Sequence, residues 1–148
     1  TRPEHLAFLS DLVEHYPITY IEDPFHEDDF LGFAILTQRL SKKGKLVVGD
    51  DLYATNLRRL EEGITRKSTN AVIVKPNQVG TITDTISFVA EAQKHKWKTI
   101  MSHRSGETED TLICHLAVGL GCDYVKFGIS GDRIQKINEM IRIEEGLK

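Results

Sequence analysis

The sequence predicts an α/β fold built on a parallel sheet, and three observations carry the prediction. Five short apolar runs begin at positions 17, 45, 71, 98 and 123. The first four are rich in Ile, Val, Thr or Tyr, which suit strands. Helical patterns fill every interval, so the order is one helix followed by five strand–helix units. None of the runs alternates apolar and polar residues, as expected of strands covered on both faces. Connections of this length run parallel strands side by side with helices packed on them. Two architectures satisfy the order: an open five-stranded doubly wound sheet, and part of a (βα)8 barrel. A closed barrel takes about 250 residues, or about 31 per unit, so five units are too few to close one.

The elements follow in chain order. A helix over about 3–15 precedes the first strand, "PITYI" (17–21). "DDFLGFAILTQRL" (28–40) is a helical pattern that opens with acids, which suit a helix N-terminus. "KLVV" (45–48) is the second strand, and "NLRRLEEGI" (56–64) the next helix, with Asn56 as its N-cap. "AVIV" (71–74) is the third strand. "TITDTISFVAEAQKHK" (81–96) sets Ile82, Ile86, Val89 and Ala90 on one helical face and ends in Lys and His, matching the C-terminal dipole. "KTIM" (98–101) is the fourth strand. "ETEDTLICHLAVGLG" (107–121) reads as a helix with the acids at 107, 109 and 110 in its first turn and Gly119 and Gly121 as stop signals. "DYV" (123–125) is the fifth strand, and a helix over about 132–145 ends the chain. No linker, repeat or low-complexity segment interrupts this order, so residues 1–148 are expected to form a single domain.

Composition narrows the class. With 40% hydrophobic and 28% charged residues, the chain is of globular type, and at this length it buries roughly 70% of its unfolded surface. A net charge of −3 gives no electrostatic case for nucleic acid or an anionic membrane. Lys42, Lys43 and Lys45 read as a solvated loop. Cys114 and Cys122 form no CxxC pair; both lie in apolar sequence and read as buried free thiols, which fits a reducing compartment. No signal-peptide pattern and no window of membrane-spanning length occurs, so a cytoplasmic location is expected.

The chemistry concentrates where strands end. "PITYI" is followed by Glu22 and Asp23, "KLVV" by Gly49, Asp50 and Asp51, "AVIV" by Lys75, "KTIM" by Ser102, His103, Arg104 and Ser105, and "DYV" by Lys126. In parallel α/β folds the C-terminal rim of the strands is where ligands bind. Any one polar residue at a strand end is ordinary; five in succession point to a shared site. Glu22 and Asp50 are hard oxygen ligands on successive strands, suited to Mg²⁺, although acids also cap helices. Lys75 and Lys126 are expected in one pocket, where mutual repulsion and partial burial depress a lysine enough for it to act as a neutral base. Pro76 keeps Lys75 extended. Arg104 and Ser105 offer donors for a phosphate or carboxylate, ahead of helix amides that also favour anions, and His103 is a further donor to that anion.

Long stretches of the chain then match a known family. "YPITYIEDPFHEDD", "VVGDDLYATN", "VIVKPNQVGT", "SHRSGETEDT" and "KINEMIRIEE" resemble enolase (phosphopyruvate hydratase), and the likeness runs through essentially the whole sequence. The resemblance implies a partial TIM (βα) barrel of about five parallel strands with flanking helices. It implies Mg²⁺-dependent dehydration of 2-phosphoglycerate to phosphoenolpyruvate, a step of glycolysis, in which a lysine removes the proton beside the carboxylate. A lysine or histidine base with one or two Mg²⁺ ions is general to enolase-type sites. By motif, Lys75 corresponds to the base and Glu22 and Asp50 to metal ligands that also border the substrate. Ser102, His103, Arg104 and Ser105 correspond to the substrate loop, and Lys126 to the lysine near the substrate carboxylate.

The likeness covers only the later part of the barrel. The family's N-terminal domain, early barrel strands, third metal-binding aspartate and the glutamates linked to hydroxyl loss have no counterpart in these residues. Activity is therefore expected to need the missing part, and the unpaired strand edges lead to an expected homo-oligomer or complementing N-terminal chain. The alternative is a non-catalytic paralogue that binds a phosphate ligand or serves as a scaffold.

Overall fold

A computed structural model describes residues 1–148. The elements are helix α1 (Arg2–His15), strand β1 (Tyr20–Glu22), α2 (Phe30–Leu40), β2 (Leu46–Gly49), α3 (Leu57–Arg66), β3 (Ala71–Val74), the single turn α4 (Pro76–Val79), α5 (Ile82–Lys94), β4 (Lys98–Ser102), α6 (Leu112–Gly119), β5 (Tyr124–Lys126) and α7 (Ile134–Gly146). All five strands are parallel and pair in sequence order, β1-β2-β3-β4-β5. A doubly wound sheet reverses its strand order partway. This one does not, and it forms a curled half-barrel.

Side chains divide between the two faces by strand parity. Val47, Val72, Val74 and Met101 point outward and pack with Phe33, Leu36, Leu60, Phe88 and Ala117 of the helices in one cluster of 17 buried residues. Val48, Ala71, Ile73 and Ile100 point inward and form a separate cluster containing strand residues only. Both faces are thus apolar, which is why no strand alternates in sequence. Local caps start the helices: Asp29 accepts from Gly32 N, Asn56 from Arg58 N and Arg59 N, and Thr81 from Asp84 N. No helix is long and apolar enough to cross a membrane.

Several expected boundaries and faces move. The first strand begins at Tyr20 rather than residue 17 and includes Glu22. The helix expected over 107–121 begins only at Leu112. Its acids instead form local bonds: Glu107 accepts from Thr108 N, and Asp110 from Leu112 N at 2.9 Å, side-chain-to-backbone bonds that offer residues 107–111 an alternative to helix. On α5 the buried residues are Thr85, Phe88, Val89 and Ala92, while Ile82, Ile86 and Ala90 are exposed. Phe88, the bulkiest side chain of that helix, turns the face toward the sheet. Both cysteines are free; Cys114 is buried, but Cys122 only partly so.

Candidate functional site

Parity also aims the strand-end residues. Counting along each strand from the inward Val48, Ile73 and Ile100, the next inward positions are Asp50, Lys75 and Ser102. The register aligns Glu22 with Val48 on β1–β2 and Ser102 with Lys126 on β4–β5. Glu22, Asp50, Lys75, Ser102 and Lys126 therefore share the concave face at the C-terminal rim.

Two ion pairs connect them. Lys75 Nζ donates to Asp50 Oδ2 at 2.5 Å between adjacent strands. Lys126 Nζ donates to Glu22 Oε1 at 2.5 Å. This second pair joins the first and last strands, whose backbones would stand about 19 Å apart in a flat sheet at about 4.8 Å per strand. The curl of the sheet closes that gap. Each lysine faces a carboxylate, so the expected opposition of the two lysines does not occur. Burial pushes the Glu22 carboxyl up, but Lys126 and the Tyr20 hydroxyl, which also donates to it, outweigh burial and hold it below its ordinary value. Asp50 goes the other way: burial raises it, Lys75 opposes, and the charges of Glu22 and Asp23 add to the rise.

The acids regroup relative to the expectation. Asp50 clusters with Asp23 and Asp51, their ligand oxygens all within 4.8 Å of one another, whereas Glu22 is engaged by Lys126 and Tyr20. Asp23 adopts a left-handed backbone, φ 41°, which turns its carboxylate to accept from Asp50 N at 2.9 Å and Asp51 N at 2.7 Å. Burial holds Asp23 above its ordinary range against those two N–H donors. Oδ1 of Asp50 is buried and has no hydrogen-bonding partner. An unpartnered carboxylate oxygen beside two further acids fits a hard divalent cation. The sequence names Asp23 and Asp51 only as neighbours of Glu22 and Asp50; the backbone turn that recruits them has no local signature.

The third group is the loop after β4. Ser102 Oγ donates to the His103 carbonyl at 2.9 Å, and His103 Nδ1 accepts from Gly128 N at 3.2 Å. Burial and the nearby Arg133 charge hold the His103 imidazole below its ordinary value, so as an acceptor it is neutral here. The Ser105 carbonyl accepts from Arg133 at 2.7 Å. The Arg104 guanidinium is exposed and makes no hydrogen bond within the chain. Six residues separate Ser105 from the start of α6, so that helix does not lend its amides to an anion at Ser105. Thr55 is a residue that sequence reading missed. It is buried in the left-handed region at φ 54°, and its Oγ1 accepts from Lys75 N at 3.0 Å, fixing the backbone of the lysine.

The family model described as enolase, C-terminal TIM barrel domain, matches residues 1–148. The enolase of Methanocorpusculum labreanum is 50% identical over 146 residues, covering 98% of this chain and 37% of that protein. The enolase of Natronomonas pharaonis is 47% identical, covering 95% and 35%, and that of Picrophilus torridus 47%, covering 99% and 37%. The chain thus spans little more than a third of the length of these relatives. A curled parallel half-barrel, acids and lysines gathered on its inner rim, and a full-length family match agree: the chain belongs to the enolase C-terminal TIM barrel domain family.

Proposed function

We propose that this chain carries one half of an enolase-type active site for the dehydration of 2-phosphoglycerate to phosphoenolpyruvate. The observation that carries the reading is the convergence of Lys75, Asp50, Lys126 and Glu22 on one inner rim through two ion pairs. Lys75, with its backbone fixed by Thr55, accepts the proton from the carbon beside the substrate carboxylate. Its Nζ must first be neutral, so its bond to Asp50 is a resting arrangement that substrate binding rearranges. Lys126, half exposed at the rim, is free to exchange Glu22 for the substrate carboxylate. Ser102, His103, Arg104 and Ser105 receive the phosphate, Arg104 through a guanidinium that no protein group occupies. The leaving hydroxide needs a proton from an acid that none of these residues supplies.

Asp50, with Asp23, Asp51 or Glu22 beside it, would hold Mg²⁺. When bound, the ion supplies positive charge against the negative charge that develops on the substrate carboxylate. The chain is read as one domain in the cytoplasm, with the outer edges of β1 and β5 covered by a second copy or by a complementing N-terminal enolase segment.

The test is to purify the chain and supply Mg²⁺ and 2-phosphoglycerate. Phosphoenolpyruvate formation is then followed with and without a separately expressed N-terminal enolase segment. Turnover only on mixing, lost in K75A, is the expected result. Substrate binding with no turnover in either case would instead favour a non-catalytic phosphate-binding paralogue. That second reading draws on the exposure of Lys126, which leaves the rim open to ligand without completing it.

A further inference from the structure

The most deeply buried charge in the molecule lies outside the rim. Lys136 of α7 is 1% exposed. Its Nζ donates to the Thr108 carbonyl at 2.7 Å and lies 3.7 Å from Glu107 Oε1. Its backbone carbonyl accepts from Cys114 Sγ of α6. An ammonium taken out of water with so few partners does little for packing that an apolar side chain of the same volume would not do as well. What distinguishes it is its target, a backbone carbonyl in the β4–α6 loop.

The same loop is held twice more. Arg133 donates to the Ser105 carbonyl at 2.7 Å, and Ser102 to that of His103. Arg133 has room to lie there because residue 128 is glycine: a Cβ on Gly128 would collide with Arg133 Cδ. Gly128 N in turn donates to His103 Nδ1. Residues 103–111 contain no helix or strand, so their shape depends on these donors.

We propose that Lys136 and Arg133 are positioning residues. By gripping the Thr108 and Ser105 carbonyls from the C-terminal segment, they fix the backbone from which Arg104 and Ser105 present their donors to the substrate phosphate. The inference rests on the reading of that loop as the anion site. It couples the last helix of the chain to the affinity of a loop more than twenty residues earlier, without either side chain touching ligand.

The experiment uses the full chain and the variants K136M, R133M, R133K and R104A. Hydrogen exchange of peptides covering 103–110 is read by mass spectrometry, and binding of 2-phosphoglycerate with Mg²⁺ by calorimetry. In K136M and R133M the loop amides should exchange about tenfold faster, with peptides from β3 unchanged, and ligand affinity should fall about tenfold. R133K, which keeps a donor for the Ser105 carbonyl, should recover most of both. Arg133 is only partly buried, so R133M decides the question even if K136M fails to fold. Unchanged loop exchange in R133M overturns the positioning role while leaving the anion reading intact. Ligand affinity that R104A leaves unchanged overturns the anion reading, and this inference with it.

Discussion

Lys126 Nζ lies 2.5 Å from Glu22 Oε1, an ion pair between residues 104 positions apart that joins the two edge strands of a five-stranded sheet. It is a direct gauge of curl, because a flat sheet would keep the two side chains out of reach. Lys126 is 47% and Glu22 20% exposed, so solvent screening limits its worth to about 0–1 kcal/mol. The pair reports the half-barrel more than it holds it; the outer and inner apolar clusters do the holding.

The buried pair at Lys75 and Asp50 behaves differently, with side chains 14% and 11% exposed. K75M leaves a buried carboxylate without its partner, at a cost of about 3–5 kcal/mol. Burial already holds Asp50 above its ordinary value and Lys75 opposes that rise, so K75M moves it further up. A carboxyl whose folded pKa exceeds its unfolded one contributes stability below the unfolded value and loses it as pH rises through the folded one. The deficit of K75M in urea midpoint is therefore expected to be large at neutral pH and to shrink on acidification. Mg²⁺ at ten times its dissociation constant should restore about 1.4 kcal/mol. A deficit independent of both pH and Mg²⁺ would contradict this account of the pair.

Tyr53 fixes the space behind β2. It is fully buried, and its hydroxyl shares a 2.9 Å hydrogen bond with Thr69. A Cβ added at Gly49 would overlap its ring, and one at Gly63 its hydroxyl. G49A should lose about 1–3 kcal/mol. Y53L in the same chain should make part of that loss disappear, since the two changes share one space. Chemical denaturation of the two single variants and the double measures this, and strict additivity would refute it.

At the end of the sheet away from the rim, an ion pair between Lys98 and Asp123 makes stability depend on pH. Lys98 donates to Asp123 at 2.6 Å, and Asp123 also accepts from Thr99 N at 3.0 Å. Burial pushes the Asp123 carboxyl up, but Lys98 and Thr99 outweigh it, leaving it below its ordinary value of 3.8. The Asp123 bond raises Lys98 above its ordinary 10.5. Asp123 thus contributes stability above its unfolded pKa, lost as pH falls through the depressed folded value. Lys98 contributes below 10.5 and loses its share as pH rises through its raised value. D123N should flatten both limbs of the stability–pH curve and leave neutral-pH stability only modestly lower. Thermal melts across the range read the outcome, and limbs as steep as those of the parent chain would exclude it.

The alternation of strands and helices and the polar groups at the strand ends were legible in the sequence, because buried parallel strands announce themselves as apolar runs and the rim is where those runs stop; the order of the strands in the sheet was not, since a doubly wound sheet and part of a barrel share that alternation. Asn56 was legible as a cap because capping is decided within a few residues. The late start of α6 was not, since Glu107 and Asp110 suit both a helix start and the local turns that displace it. Nor was the buried face of α5, which Phe88 settles by meeting the sheet.

What the sequence alone determined is the alternation of elements and the identity of the groups at the strand ends, properties set by neighbours along the chain. The tertiary structure alone decided the curl that brings Lys126 to Glu22, the recruitment of Asp23 and Asp51 around Asp50, and the grip of Lys136 and Arg133 on the loop. The reason is distance along the chain. The contacts of Lys126 with Glu22, of Asp23 with Asp50 N and Asp51 N, and of Lys136 and Arg133 with the loop link residues 27 to 104 positions apart. Only sheet register and packing between layers, which no local pattern encodes, select which of those distant groups meet.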